Sequence, residues 1–134
     1  MEYQIWLNGE YVARSEAKIS MMDSGFRLGD VVFDTSRTFN GKIFRLRDHL
    51  DRLYRSLKYV RIDPGLSPHE FMDISEETVA RNESLRVEVG DYAVSQFVTR
   101  VPGSWPREAG PPTVCVYVRP IFFSRYAKHY NDGA

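Results

Sequence analysis

Cysteine is nearly missing from this chain. Cys115 stands alone, so no internal disulfide can form, and His49, His69 and His129 are isolated from one another, so no zinc-ligand spacing exists. Net charge is missing too. Eighteen lysines and arginines balance eighteen acidic residues, which removes the global field that would draw a protein onto nucleic acid or an anionic membrane. Long apolar runs are absent: no segment approaches the roughly 20 residues of a membrane helix. The opening M-E-Y-Q-I-W-L-N-G-E lacks the basic start and apolar stretch of a signal peptide. Internal repeats and low-complexity segments are also lacking. These absences together predict a cytoplasmic protein in a reducing compartment, without a structural metal, whose charged ligands are held by a few placed side chains.

The 134 residues, 43% hydrophobic and 27% charged, suffice for one domain with a real core. Tyr3 to Leu7 alternates and ends at Asn8-Gly9, a dipeptide suited to a type I′ turn, and Glu10 to Ala13 returns. Ser20 and Asp23 are turn or cap candidates ahead of Gly25-Phe26. Val31 to Phe39 reads as a strand, Asn40-Gly41 as its turn, and Lys42 to Arg45 as the return. Leu46, Leu50, Leu53, Leu57 and Val60 then step by three or four, which predicts an amphipathic helix from Leu46 to Val60. Asp63-Pro64-Gly65 stops it. Ser67-Pro68-His69-Glu70 starts a second helix with a capping box, running to about Arg81 with Phe71, Ile74 and Thr78 on one face. The alternating segment within Arg86 to Arg100 predicts a strand, Pro102 to Pro112 a loop, and Thr113 to Val118 a last strand. Hairpins stand where a parallel fold needs crossovers, so the expected class is α+β, an antiparallel sheet with two helices packed against it.

Read one at a time, the candidate site residues are ordinary. Arg52 sits between Leu50 and Leu53 and reads either as an arginine pairing with Asp48 or Asp51 or as an anion clamp, because its planar five-donor group matches phosphate. Arg100 closes a strand before a Pro/Gly loop, where binding residues are often found. Phe33 and Phe39 read as core, and Asp34 with Arg37 as a strand-surface pair. Lys128, the lysine one would nominate for Schiff-base chemistry, has no strand or pocket to desolvate it. Ser36, Ser95 and the histidines form no nucleophile elbow or triad.

Taken together, three runs carry more: N-G-E-Y-V near the start, I-S-M-M-D-S-G-F-R-L-G-D-V-V-F-D-T-S-R, and N-G-K-I-F-R-L-R-D-H-L-D-R-L-Y-R-S. In order and spacing this resembles the N-terminal domain of the class IV aminotransferases, the fold-type IV pyridoxal-phosphate enzymes. These include branched-chain and D-amino-acid aminotransferases, R-selective amine transaminases and aminodeoxychorismate lyase. The resemblance implies a D-amino-acid aminotransferase-like fold over residues 1–120, with 121–134 as linker and start of a second domain. It implies that Arg52 binds the phosphate of pyridoxal 5′-phosphate, and that Phe33, Arg37 and Arg100 line the substrate site. After that arginine the D-amino-acid pattern continues with glycine, where this chain has Val101.

The implied activity moves an amino group between an amino acid and a 2-oxo acid in a homodimer. The spacing of Phe33, Asp34 and Arg37 favours the branched-chain enzymes, while D-amino-acid or R-amine transamination and the lyase stay open. In the family, the lysine that holds the cofactor lies in the second domain. No catalytic residue is therefore expected within these 134 residues, and the chain by itself is expected to be an inactive piece of a larger enzyme. The competing expectations are a non-catalytic dimerising module and an RNA-binding sheet. The second is disfavoured by zero net charge and by an element order unlike βαββαβ.

Overall fold

A computed structural model describes residues 1–100 and 111–133. Six strands form one sheet in the order β2-β1-β6-β5-β3-β4, with every neighbouring pair antiparallel. They are β1 (Gln4–Leu7), β2 (Glu10–Ala13), β3 (Val31–Phe39), β4 (Lys42–Ile43), β5 (Tyr92–Thr99) and β6 (Val114–Pro120). Both predicted Asn-Gly turns are present, with positive φ at Asn8 and Gly9 and again at Asn40 and Gly41, as a type I′ turn requires.

Helix α2 (Leu46–Val60) and helix α3 (Pro68–Arg81) have the predicted bounds and cover one face of the sheet. Leu50, Leu53 and Leu57 of α2 and Phe71 of α3 are buried against Tyr92, Val94, Val98 and Val116. The capping box of α3 is complete. The Glu70 backbone N–H donates to Ser67 Oγ at 3.1 Å, and the Ser67 N–H donates to a Glu70 carboxylate oxygen at 2.7 Å.

Two helices depart from the expectation. Helix α1 (Ser24–Leu28) occupies a stretch expected only to turn. Its cap, Asp23, is fully buried and accepts from Gly25 N–H at 2.7 Å, Thr113 Oγ1 at 2.6 Å and Thr99 Oγ1 at 3.0 Å. A Cβ on Gly25 would lie 2.4 Å from Thr99 Cγ2, so only glycine lets α1 approach β5 this closely. Helix α4 (Glu83–Val89) is unexpected and fills the span ahead of the alternating residues, which form β5. Asn82 links α3 to α4 while its buried amide bonds the Gln4 backbone in both directions, at 2.8 and 2.9 Å, and Gly90 at φ 88° ends the helix before β5. β4 is also shorter than expected, because Arg45 turns left-handed (φ 51°) directly before α2. The Pro102 to Pro112 loop lies, up to residue 110, outside the described residues. After Pro120 the chain makes a short helical turn at Phe123–Arg125 and a final turn of helix α5, His129–Asp132. Among the described residues no helix is long and apolar enough to cross a membrane.

Candidate functional site

β3 presents different chemistry on its two sides. Asp34, Ser36 and Thr38 point inward and are buried, whereas Phe33, Thr35, Arg37 and Phe39 alternate onto the face opposite α2 and α3. β4 pairs only with Thr38 and Phe39, so β3 has an open outer edge upstream of Arg37. Helix α2 lies along that edge.

There His49 and Arg52, three residues apart on α2, converge on the Asp34 carboxylate. Arg52 donates Nε to Oδ2 at 2.6 Å and Nη2 to Oδ1 at 2.8 Å, a two-point fork, and His49 Nδ1 meets Oδ1 at 2.7 Å. An ionised carboxylate only accepts, which places the imidazole hydrogen on Nδ1. Burial alone would raise the Asp34 carboxyl, but the hydrogen bonds from Arg52 and His49 outweigh it and hold the group below its ordinary range. The carboxylate is only 3% exposed while the Arg52 side chain is 60% exposed. A buried anion thus fixes the angle of an exposed cation. Among the described residues Arg52 Nη1 has no hydrogen-bond partner, and Arg52 lines a shallow cavity of ≈ 260 Å³ together with Arg45, Asp48, His49 and Arg55. The expected pairing of Arg52 with Asp48 or Asp51 is not made, since Asp48 pairs with Arg45 at 2.6 Å. Asp34 and Arg37 form no pair either, because they point to opposite sides of the strand.

The face opposite α2 and α3 carries a row of rings. Phe33 stacks on Phe97 (4.8 Å between centroids, 8° between planes), and Phe97 on Tyr117 (5.8 Å, 28°), one ring from each of β3, β5 and β6. Phe33 is 58% exposed and Phe39 51%, so neither is the core residue that its type suggests. Arg37 lies four residues from Phe33 on the same face. Its Nε donates to the Thr38 carbonyl at 3.0 Å, and its guanidinium sits 3.8 Å above the Phe39 ring. A cavity of ≈ 300 Å³ opens beside it, bounded by Thr35, Arg37, His49, Arg119, Arg125 and Tyr126.

Arg100 is not brought to either group. In the β3–β5 register Arg37 lies opposite Ala93 and Val31 opposite Thr99, so Arg100 extends from the far end of the pair. Nε and Nη2 donate to Asp30 (2.8 and 3.4 Å), Nη2 also to the Val60 carbonyl (2.8 Å) and Nη1 to the Arg61 carbonyl (3.2 Å). A cation at carbonyls that a helix end leaves unpaired is a C-terminal cap. Arg100 is thus held at the end of α2, at the far end of the β3–β5 pair from Arg37.

Sequence reasoning missed the roles of Asp34 and His49. A signal was present: Asp34 falls in phase with inward-facing positions, and a carboxylate there needs a partner.

The family model for class IV amino-transferases matches residues 31–130. A putative branched-chain-amino-acid aminotransferase of Methanocaldococcus jannaschii is 39% identical over 119 residues, 86% of this chain and 40% of that protein. A D-alanine aminotransferase of Staphylococcus aureus is 30% identical over 132 residues, 97% of this chain and 45% of that protein. Among solved structures, the branched-chain aminotransferase of Thermoproteus uzoniensis with norvaline superposes with a TM-score of 0.74 at 28% identity, over 90% of this chain and 41% of that one. The chain therefore spans less than half the length of the relatives it matches.

Proposed function

The chain belongs to the class IV aminotransferase family, and from that premise we propose that it forms the small domain of a pyridoxal-phosphate-dependent aminotransferase. Residues 1–120 make up this domain, and 121–134 lead toward a second domain that carries the cofactor lysine. The reaction moves an amino group between an amino acid and a 2-oxo acid, with branched-chain amino acids as first choice. The higher identity to the branched-chain relative, 39% against 30% for the D-alanine enzyme, supports that choice. The working enzyme is a cytoplasmic homodimer, as the family resemblance suggests.

The observation that carries this reading is the Asp34–Arg52 fork. Among the described residues four cationic or imidazole groups, Arg45, His49, Arg52 and Arg55, line the cavity at Arg52, and the one acid in that lining, Asp48, is already paired with Arg45. That donor set fits a phosphate dianion. Arg52 would hold the phosphate through its unspent edge, while Asp34 keeps the guanidinium from rotating and His49 keeps Asp34 in place. Bound pyridoxal phosphate supplies the electron sink that lets a proton move at the substrate α-carbon. On the face opposite α2 and α3, the Phe33 ring would give the substrate a flat apolar wall, and Arg37 a positive charge beside it. Arg100 acts on the domain itself, tying the end of β5 to the end of α2.

Pyridoxamine 5′-phosphate is the appropriate probe, because it cannot condense with surface lysines. Titrated into the 134-residue chain, it should bind at least tenfold more weakly after Arg52→Gln. Equal affinity in the two proteins would overturn the phosphate role.

A further inference from the structure

The ≈ 300 Å³ cavity beside Arg37, on the face opposite α2 and α3 and reaching His49 at the edge of β3, is lined among the described residues by three arginines, Arg37, Arg119 and Arg125, and by no acidic residue. Among the described residues none of the three has a carboxylate within ion-pair distance, whereas Arg45, Arg52, Arg81, Arg86 and Arg100 each do. We infer that this cavity is an anion subsite that takes the carboxylate of a small oxo or amino acid, with Arg119 and Arg125 joining Arg37 as its ligands.

The strand register builds the site. Arg37 and Arg119 both lie opposite Ala93, one on each flanking strand. Neighbouring strands lie about 4.8 Å apart, so the two arginine backbones straddle the alanine at roughly 10 Å. The small Ala93 side chain leaves the gap between them open. The third arginine arrives from the other side, on the turn Phe123–Arg125 that follows β6. Ring faces hold two of the guanidiniums: Arg37 over Phe39 at 3.8 Å, with Phe123 at 5.2 Å, and Arg125 over Phe122 at 4.9 Å. Three like charges sharing one cavity repel, and an anion between them removes that cost.

The rest of the lining selects the kind of anion. Ala93, Ile121 and Phe122 are apolar and suit an acid with a hydrocarbon body better than inorganic phosphate. The site is separate from the cavity at Arg52, and His49 is the one residue common to both linings. The inference rests on the aminotransferase reading only for the identity of the acid as a 2-oxo or amino acid.

The test is an NMR titration of the arginine side-chain N–H signals of the 134-residue chain with 4-methyl-2-oxopentanoate, and separately with inorganic phosphate. The oxo acid should shift Arg37, Arg119 and Arg125 saturably and bind at least tenfold more tightly than phosphate. Arg119→Gln and Arg125→Gln should each weaken it about fivefold. Because both side chains are on the surface, thermal unfolding of these variants should match the parent chain, and their affinity for pyridoxamine 5′-phosphate should be unchanged. Unaltered oxo-acid binding in both variants, or phosphate binding as tightly as the oxo acid, would overturn the assignment. Failure of Arg52→Gln to weaken pyridoxamine phosphate would instead strike the cofactor reading and leave this subsite standing.

Discussion

The two sides of β3 behave as two different regions of the molecule. Its inward residues belong to the packed core, where Ser36 and Thr38 are buried. Its outward residues, Phe33, Thr35 and Arg37, spend little on the fold: Phe33 is more exposed than buried, and Arg37 has no acidic partner among the described residues. Asp34 belongs to both regions. It is buried with the first set, yet it holds Arg52 at the open edge of the strand where the second set faces out. The contrast teaches that a rigid inner face can aim a functional group without that group being buried.

Mutations can break or sharpen this contrast. The largest effect is expected from Leu53→Ala on the inner side. Leu53 is 1% exposed, and truncation there should cost about 3 kcal/mol in urea unfolding. Asp23→Ala comes next, at about 2–3 kcal/mol, since it strands the two buried hydroxyls of Thr99 and Thr113 and the half-buried Gly25 N–H. Phe33→Ala, on the outer side, should cost no more than about 1 kcal/mol, its stacking on Phe97 being the main loss. An effect as large as that of Leu53→Ala would erase the distinction between the faces.

Two smaller effects concern titration. The Asp34 carboxyl titrates below its ordinary value of 3.8 when folded. Its stabilising contribution is therefore complete above that value and is lost as pH falls through the lower folded one. Asp34→Asn should flatten the acid limb of the stability profile below pH 3.8, as followed by urea unfolding across that range. Burial pushes the Cys115 thiol up to about 11. At pH 8 only about one molecule in a thousand then carries the thiolate, so alkylation should be slow until the chain is unfolded.

Much of the fold was legible in the sequence because local rules decided it. The two Asn-Gly turns, the leucine period of α2 and the Ser67–Glu70 cap needed no tertiary information. Helices α1 and α4 were not legible. They are short, and what holds them is distant: Asp23 bonds Thr99 and Thr113, and Asn82 bonds Gln4. The site divides the same way. Arg52 and Arg100 stood out by type and position, but their roles depend on which donors remain free. That is fixed by Asp34 in one case, and by Asp30 with the end of α2 in the other.

These two arginines supply the most direct test of the central claim, that the free edge of an Asp34-held guanidinium binds the cofactor phosphate. Binding of pyridoxamine 5′-phosphate would be followed by ³¹P NMR in Arg52→Lys and Arg100→Lys, each of which keeps the charge and loses the fork. The expected outcome is weaker binding for Arg52→Lys alone, with Arg100→Lys lowering the unfolding temperature and leaving affinity intact. Weakening by Arg100→Lys with none by Arg52→Lys would contradict it.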